Sequence, residues 1–293
     1  IFIGKDGCFS MMFDFNYCNF DISEDEEWFK RQDWTTKQFK ELLFTSQREV
    51  QKLGWIASFL ENHDQPRAID KFVLDKKNHN YYSQTMLAGM FFNLRGTPFI
   101  YQGQEIGMTN VQFDKVEDYQ DVQSTGLYYS KLEQGMSHED IMEIIWATAR
   151  GNSRTPMQWS HEANGGFTTG TPWLAVNPNY QTINVEAQEE DPDSILNFYK
   201  EMIALRKSED IFVYGTYDLV FEDHQEIYAY TRTLGEKRVL ILCNLTNKQT
   251  SINLEKITVS TDQLLLSNIP VEEHESIQEL TLKPFEARIY SLN

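Results

Sequence analysis

The chain has 293 residues, 41% hydrophobic and 13% aromatic, enough for one large core or two smaller ones at about 100–200 residues per domain. Its net charge of −18, from 26 basic and 44 acidic residues, repels phosphate backbones and anionic headgroups, so neither nucleic acid nor a membrane surface is expected as a partner. No stretch approaches the roughly 20 uninterrupted apolar residues of a membrane span, and the first 20 residues lack the basic start and small-residue cleavage site of a signal peptide, so the chain is expected to be cytoplasmic. It opens on Ile1 rather than Met, with the apolar run Met11-Met12-Phe13 close behind, and is expected to be the later part of a longer protein.

In chain order, strand and helix character alternate, the pattern of a parallel sheet with helices packed on it. Met11 to Phe15 reads as a short buried strand. After the charged loop Ser23 to Asp33, with its solvated run Glu24 to Glu27, Thr35 and Thr36 offer hydroxyl caps to a helix reaching Lys52. Phe39, Leu42, Leu43, Ser46 and Val50 lie near helical spacing on that segment, which Gly54 closes. Trp55 to Leu60 is an apolar run of strand length that stops at Glu61-Asn62-His63-Asp64. A helix from Tyr81 to Leu94, closed by Gly96, feeds a third short strand, Pro98 to Gln102.

Gly103 to Asp191 is too long for a structureless connection and is expected to carry helices, Ser137 to Arg150 being the clearest. Asp191-Pro192-Asp193 predicts another helix, with Asp at the cap and Pro in the first turn. Beyond Lys207 the texture changes to short β-rich runs at 217–221, 227–233, 238–245, 250–254, 263–267 and 287–292, the signature of an antiparallel sandwich. The reading therefore divides the chain at residue 208, into 1–207 and 208–293. Cys8, Cys18 and Cys243 show no metal-ligand spacing, and their odd number suits unpaired thiols in a reducing compartment rather than a disulfide framework. No metal site and no cofactor are expected.

By itself Asn62-His63-Asp64 says only that an imidazole and a carboxylate meet at a strand end, where Asp64 could equally cap the next segment. In a barrel of parallel strands, however, the C-terminal strand ends build the active site. The run Glu61-Asn62-His63-Asp64-Gln65-Pro66-Arg67 resembles the fourth conserved segment of the α-amylase family of glycoside hydrolases. The run from Gly96 to Met108 is similar to the eighth-strand segment that follows it there. Asn152-Ser153-Arg154-Thr155-Pro156-Met157-Gln158-Trp159, Gly166-Phe167-Thr168, Pro172-Trp173, Val176 to Tyr180 and Ile183 to Glu186 continue the likeness, towards the oligo-1,6-glucosidase, dextran glucosidase and α-glucosidase group.

The resemblance implies strands 6 to 8 of a (β/α)₈ TIM barrel followed by the β-sandwich called domain C, in a retaining α-glucosidase acting on α-1,6 or α-1,4 bonds at the non-reducing end of short oligosaccharides. The nucleophile and the acid/base follow strands four and five of that barrel, so both would lie upstream, and this chain alone is expected to be inactive. Asp64 matches the family's transition-state-stabilising carboxylate, and His63 the imidazole that donates to the same glucose. Arg150 matches an arginine that clamps the glucose together with an aspartate from the missing N-terminal half; a cation at a helix end is the plainer alternative. Arg67 is a lesser candidate for that pocket, with a structural salt bridge as its alternative, and Glu61 is expected to face the barrel wall.

Two departures stand out. Gln104 and Gln123 occupy positions that are commonly acidic in the group, and Gln123 is assigned to the aglycone side. Trp159, Trp173, Phe167 and Tyr180 are candidates for sugar stacking or for plain packing. Trehalose-6-phosphate hydrolase and sucrose-active relatives share these segments, and a non-catalytic barrel subunit or a sugar-binding module are readings of another class. The implied partners are an oligosaccharide substrate and the missing N-terminal half, with self-association of the half-barrel in its absence.

Overall fold

A computed structural model describes residues 3–23, 30–254, 263–271 and 279–292; the acidic run 24–27 lies outside them. Three parallel strands, β1 (Met12–Phe13), β2 (Ile56–Phe59) and β3 (Thr97–Phe99), form a sheet in the order β1-β2-β3, with Met12 opposite Ile56 and Ala57 opposite Thr97. β2 is buried along its whole length, as a central strand covered on both faces must be. β1 and β3 each have one neighbour, and both are shorter than the apolar runs 11–15 and 98–102 suggest. A strand extends only as far as a partner supplies its hydrogen bonds.

The crossover from β1 to β2 is helix α1 (Thr36–Val50). Its start is a capping box: Thr35 Oγ1 accepts from Gln38 N at 3.2 Å, and Gln38 Oε1 accepts from Thr35 N at 2.9 Å. Between β2 and β3 lie the short α2 (Ala68–Phe72) and α3 (Tyr81–Phe92), the latter capped by Asn80 and ending at Asn93. Gly96 then turns the chain at φ +139°, where a Cβ would stand 2.4 Å from the carbonyl oxygen of Ile56, so only glycine brings β3 against β2.

The long connection carries α4 (Val122–Glu133), α5 (His138–Thr148) and α6 (Val185–Glu190). α5 matches the sequence expectation, with Ser137 as its cap. The helix expected to open at Asp191 begins later, as α7 (Ile195–Ser208), capped by Ser194. Asp191 instead folds a turn of its own, its carboxylate accepting from Asp193 N at 3.0 Å and its carbonyl from Ser194 N at 3.1 Å. Local turn chemistry won over the Asp-Pro helix signal. A single turn, α8 (Asp210–Tyr214), leads into the β-rich part.

There β4 (Thr216–Val220), β5 (Ile227–Leu234), β6 (Lys237–Asn244), β7 (Thr250–Asn253), β8 (Leu264–Ser267), β9 (Glu279–Leu282) and β10 (Ala287–Ser291) pair antiparallel. They form one sheet in the order β4-β5-β6-β10-β8 and a second ribbon, β7-β9. β9 has no counterpart in the sequence reading. Alternation along the central strands decides what each face touches. Ile227, Ala229, Leu240 and Leu242 pack with Ile252, Leu280 and Leu282 of the ribbon, while Tyr228, Tyr230, Ile241 and Cys243 turn to Phe39, Leu43, Met86 and Met90 of α1 and α3. Sheet and helices thus share one core. At the seam the buried guanidinium of Arg232 donates to Gly215 O at 2.8 Å and Phe212 O at 2.9 Å, and Arg206 donates to Phe212 O at 2.6 Å. Backbone carbonyls of the linker therefore satisfy two buried cations. Among the described residues no helix is long and apolar enough to cross a membrane.

Candidate active site

The site grows from the C-terminal end of β2. Glu61 remains buried: one carboxylate oxygen accepts from Ala68 N, the first residue of α2, at 2.9 Å, and the other from Arg67 Nη1 at 3.0 Å. Capping α2 therefore falls to Glu61, which frees Asp64. Arg67 is fully buried, donating to Gln102 O at 2.8 Å as well, so it presents no surface to a ligand in this chain. It is the salt bridge that sequence reading allowed as its alternative. Asn62 Oδ1 accepts from Asp64 N at 2.7 Å, a local turn that lifts His63 and Asp64 out of the strand with their side chains 68% and 47% exposed. His63 Nε2 stands 3.3 Å from Asp64 Oδ2.

A second loop meets this one. After α5 the chain makes a tight turn at Arg150–Ser153, in which Gly151 comes so near Tyr119 that a Cβ would lie 2.7 Å from its ring. Ser153 Oγ donates to Gln65 O at 2.5 Å, and Tyr101 Oη donates to Ser153 O at 2.9 Å. These bonds fix the turn against the β2 loop and the residues after β3. Arg154 then donates from Nε to His63 O at 2.8 Å and from Nη2 to Asp64 Oδ1 at 2.6 Å. Arg150 Nη1 is 3.7 Å from the same oxygen, and its Nη2 is 2.6 Å from Asp121 Oδ1.

Asp121 caps α4 through Ser124 N at 3.1 Å. Burial works against its charge, yet the hydrogen bonds from Arg150 and Ser124 win and hold its carboxyl below the ordinary range. Arg150 is thus tethered by an aspartate of this chain. Gln123, on the first turn of α4, lines a small cavity with Leu127, Ile145, Thr148, Ala149 and Arg150, and its Oε1 has no hydrogen-bond partner among the described residues.

His63, Asp64 and Arg150 are therefore brought together, Gln123 lies behind Arg150, and Arg67 is separated from them by burial. Sequence reasoning passed over Arg154 and Asp121. Arg154 stood inside a quoted motif, four residues after Arg150, and that spacing was the available signal; Asp121 carried only the ordinary signature of a helix cap. Chemically the arrangement offers one open carboxylate beside an imidazole and two guanidinium groups. Such a set can hold hydroxyl groups and stabilise positive charge. It offers no second exposed carboxyl group of the kind a retaining glycosidase places about 5–5.5 Å from the first across the scissile bond, because Glu61 and Asp121 are buried, 4% and 5% exposed.

Residues 5–215 match the family model for the alpha-amylase catalytic domain. The chain belongs to the alpha-amylase family. Residues 217–289 match the maltogenic amylase C-terminal domain, so the parallel sheet with its helices is the later part of an alpha-amylase TIM barrel and the antiparallel sheets are its C-terminal domain. The chain is 44% identical over 285 residues to an oligo-1,6-glucosidase of Parageobacillus thermoglucosidasius, covering 97% of this chain and 50% of that protein. It is 37% identical over 286 residues to a trehalose-6-phosphate hydrolase of Bacillus subtilis, covering 96% and 50%. A crystal structure of Bacillus licheniformis trehalose-6-phosphate hydrolase superposes with a TM-score of 0.89 at 40% identity, over 96% of this chain and 51% of that one. The chain thus spans about half the length of these alpha-amylase relatives.

Proposed function

We propose that the intact protein hydrolyses α-1,6- or α-1,4-glucosidic bonds of short oligosaccharides from the non-reducing end, with retention through a covalent glucosyl-enzyme. The observation that carries this reading is Asp64, exposed at a barrel strand end and held by Arg154 at 2.6 Å beside His63. Its carboxylate is oriented before substrate arrives, so it stabilises the positive charge that develops at the anomeric carbon, while its hydrogen bonds and those of His63 select glucose. Arg150 and Arg154 fix the carboxylate and meet hydroxyl groups of the same ring. Gln123, beside Arg150, is assigned to the leaving-group side. The nucleophile and the acid/base come from the upstream half of the same protein, the partner that completes the site. Two units, a barrel portion and domain C, divide near residue 208, and the unpaired Cys8, Cys18 and Cys243 support a cytoplasmic setting.

The test assays the intact protein and the isolated 293-residue chain against isomaltose, maltose, trehalose 6-phosphate and sucrose. Isomaltose or maltose is expected to give the highest kcat/KM with the intact protein, and the isolated chain to give no turnover. Saturable hydrolysis by the isolated chain would overturn the division of roles, and a clear preference for trehalose 6-phosphate or sucrose would overturn the substrate class.

A further inference from the structure

Asp21, on the loop that follows β1, is 3% exposed and stands between two cations, Lys71 Nζ at 3.4 Å and Arg31 Nε at 3.6 Å. Backbone pairing places Arg31 there: Ile22 and Arg31 form an antiparallel bridge, and Gln32 N donates to Asp21 O at 2.8 Å. Each cation also reaches a different loop of the candidate site. Lys71, on α2 and likewise 3% exposed, donates to Gln65 Oε1 at 2.9 Å and to Cys18 O. Gln65 directly follows Asp64, and its carbonyl is the one that Ser153 holds, so this residue is fixed through both side chain and backbone. Arg31 Nη2 donates to Ala147 O at 2.9 Å, in the last turn of α5 and three residues before Arg150. Asp21, Arg31, Lys71, Gln65 and Asp64 line one small cavity.

Desolvation takes back most of what ion pairing returns inside a protein, so stability is a weak reason for these buried charges. Geometry supplies a stronger one. A carboxylate between two cations, each extended to another loop, sets the distance between those loops. Asp64 and Arg150 ride on them, with Arg150 Nη1 3.7 Å from Asp64 Oδ1. We propose that Asp21 is a positioning residue for the hydrolysis: through Lys71 it fixes the Asp64 loop and through Arg31 the Arg150 turn, so that both side chains meet the same glucose. The inference rests on the glucosidase reading above. Misplacing a group in an active site by about 1 Å is enough to cost on the order of 100-fold in rate, so a residue that touches no substrate can act on this scale.

The experiment compares the intact protein with its Asp21→Asn and Asp21→Glu forms on p-nitrophenyl α-glucoside, with glucose as competitive inhibitor and every assay run well below the melting temperature of the form in use. Asp21→Asn, which removes the charge at nearly constant size, is expected to lower kcat about ten- to a hundredfold and to raise the glucose inhibition constant severalfold, because Asp64 and Arg150 lose their common anchor. Asp21→Glu keeps the ion pairs but moves the carboxylate by one methylene, and it should still lower kcat severalfold; it decides the matter if Asp21→Asn does not fold. A purely structural Asp21 would lower the melting temperature and leave kcat and the inhibition constant of the folded enzyme unchanged. That result in Asp21→Glu overturns the positioning role while the glucosidase reading stands. If the unsubstituted protein cleaves no α-glucoside, the glucosidase reading fails and this one fails with it.

Discussion

Arg154 Nη2 and Asp64 Oδ1 lie 2.6 Å apart, joining residues 90 positions distant in sequence. The same guanidinium also holds the carbonyl of His63, so one side chain sets both the Asp64 carboxylate and the backbone that carries it. This is a charge-assisted pair at half-exposed positions, where orientation counts for more than binding energy. In the intact protein Asp64→Asn is expected to lower kcat by about 10²–10³ or more, as loss of other preorganised charge-stabilising groups does, with the melting curve unchanged. Arg154→Ala should lower kcat less, and the double substitution should cost less than the product of the two. Steady-state kinetics on the three variants checks this; full additivity would show that Arg154 does not act through Asp64.

The isolated chain is expected to self-associate. Met12, Phe13, Phe15 and Phe99 are 45%, 45%, 59% and 40% exposed around an edge strand, β1, that pairs on one side only. Phe13 and Phe99 rings already stand 4.9 Å apart, so these side chains make a contiguous apolar face. Light scattering across a concentration series should show mass above that of the monomer, reversed when the upstream half is supplied. A monodisperse, cooperatively melting monomer at high concentration would contradict it.

Gln123→Glu in the intact protein is expected to shift the ratio of kcat/KM for isomaltose to that for maltose severalfold, the equivalent of gaining or losing one hydrogen bond of about 0.5–1.5 kcal/mol. The structure supplies the route, because Gln123 and Arg150 line one small cavity and the Gln123 oxygen is unpartnered there among the described residues. Competitive inhibition by glucose is the control. An inhibition constant that moves as much as the linkage ratio would put Gln123 in the glucose pocket.

His224 gives a pH dependence with a definite sign. Its Nδ1 accepts from the backbone N–H groups of Glu226 and Ile227, each at 3.2 Å, and Lys40 Nζ donates to its carbonyl at 2.7 Å. Burial, with Lys40 nearby, depresses its pKa below the ordinary 6.5. The folded chain therefore resists a proton that the unfolded chain takes up as pH falls through about 6.5, and stability drops below that pH and is unaffected above it. Melting temperatures from pH 7.5 to 5 should fall less steeply for His224→Gln than for the natural chain. Parallel slopes would exclude this histidine as a contributor.

Much of the architecture was fixed by local sequence. The Thr35–Gln38 capping pair, the Ser137 cap and the alternation along β5 and β6 each act within a few residues, so periodicity and cap chemistry located α1, α5 and the central sandwich strands. The Asn62-His63-Asp64 cluster was legible for the same reason, since a polar run at the end of an apolar strand is a local feature. Tertiary structure alone decided the rest. The lengths of β1 and β3 depend on neighbours, and the start of α7 turned on whether Asp191 or Ser194 won the backbone donors. In the sequence Arg67 and Arg154 are both arginines inside quoted motifs, yet one is sealed against Glu61 and the other reaches Asp64. That difference rests on which long-range partner satisfies each guanidinium, and a linear sequence does not state it.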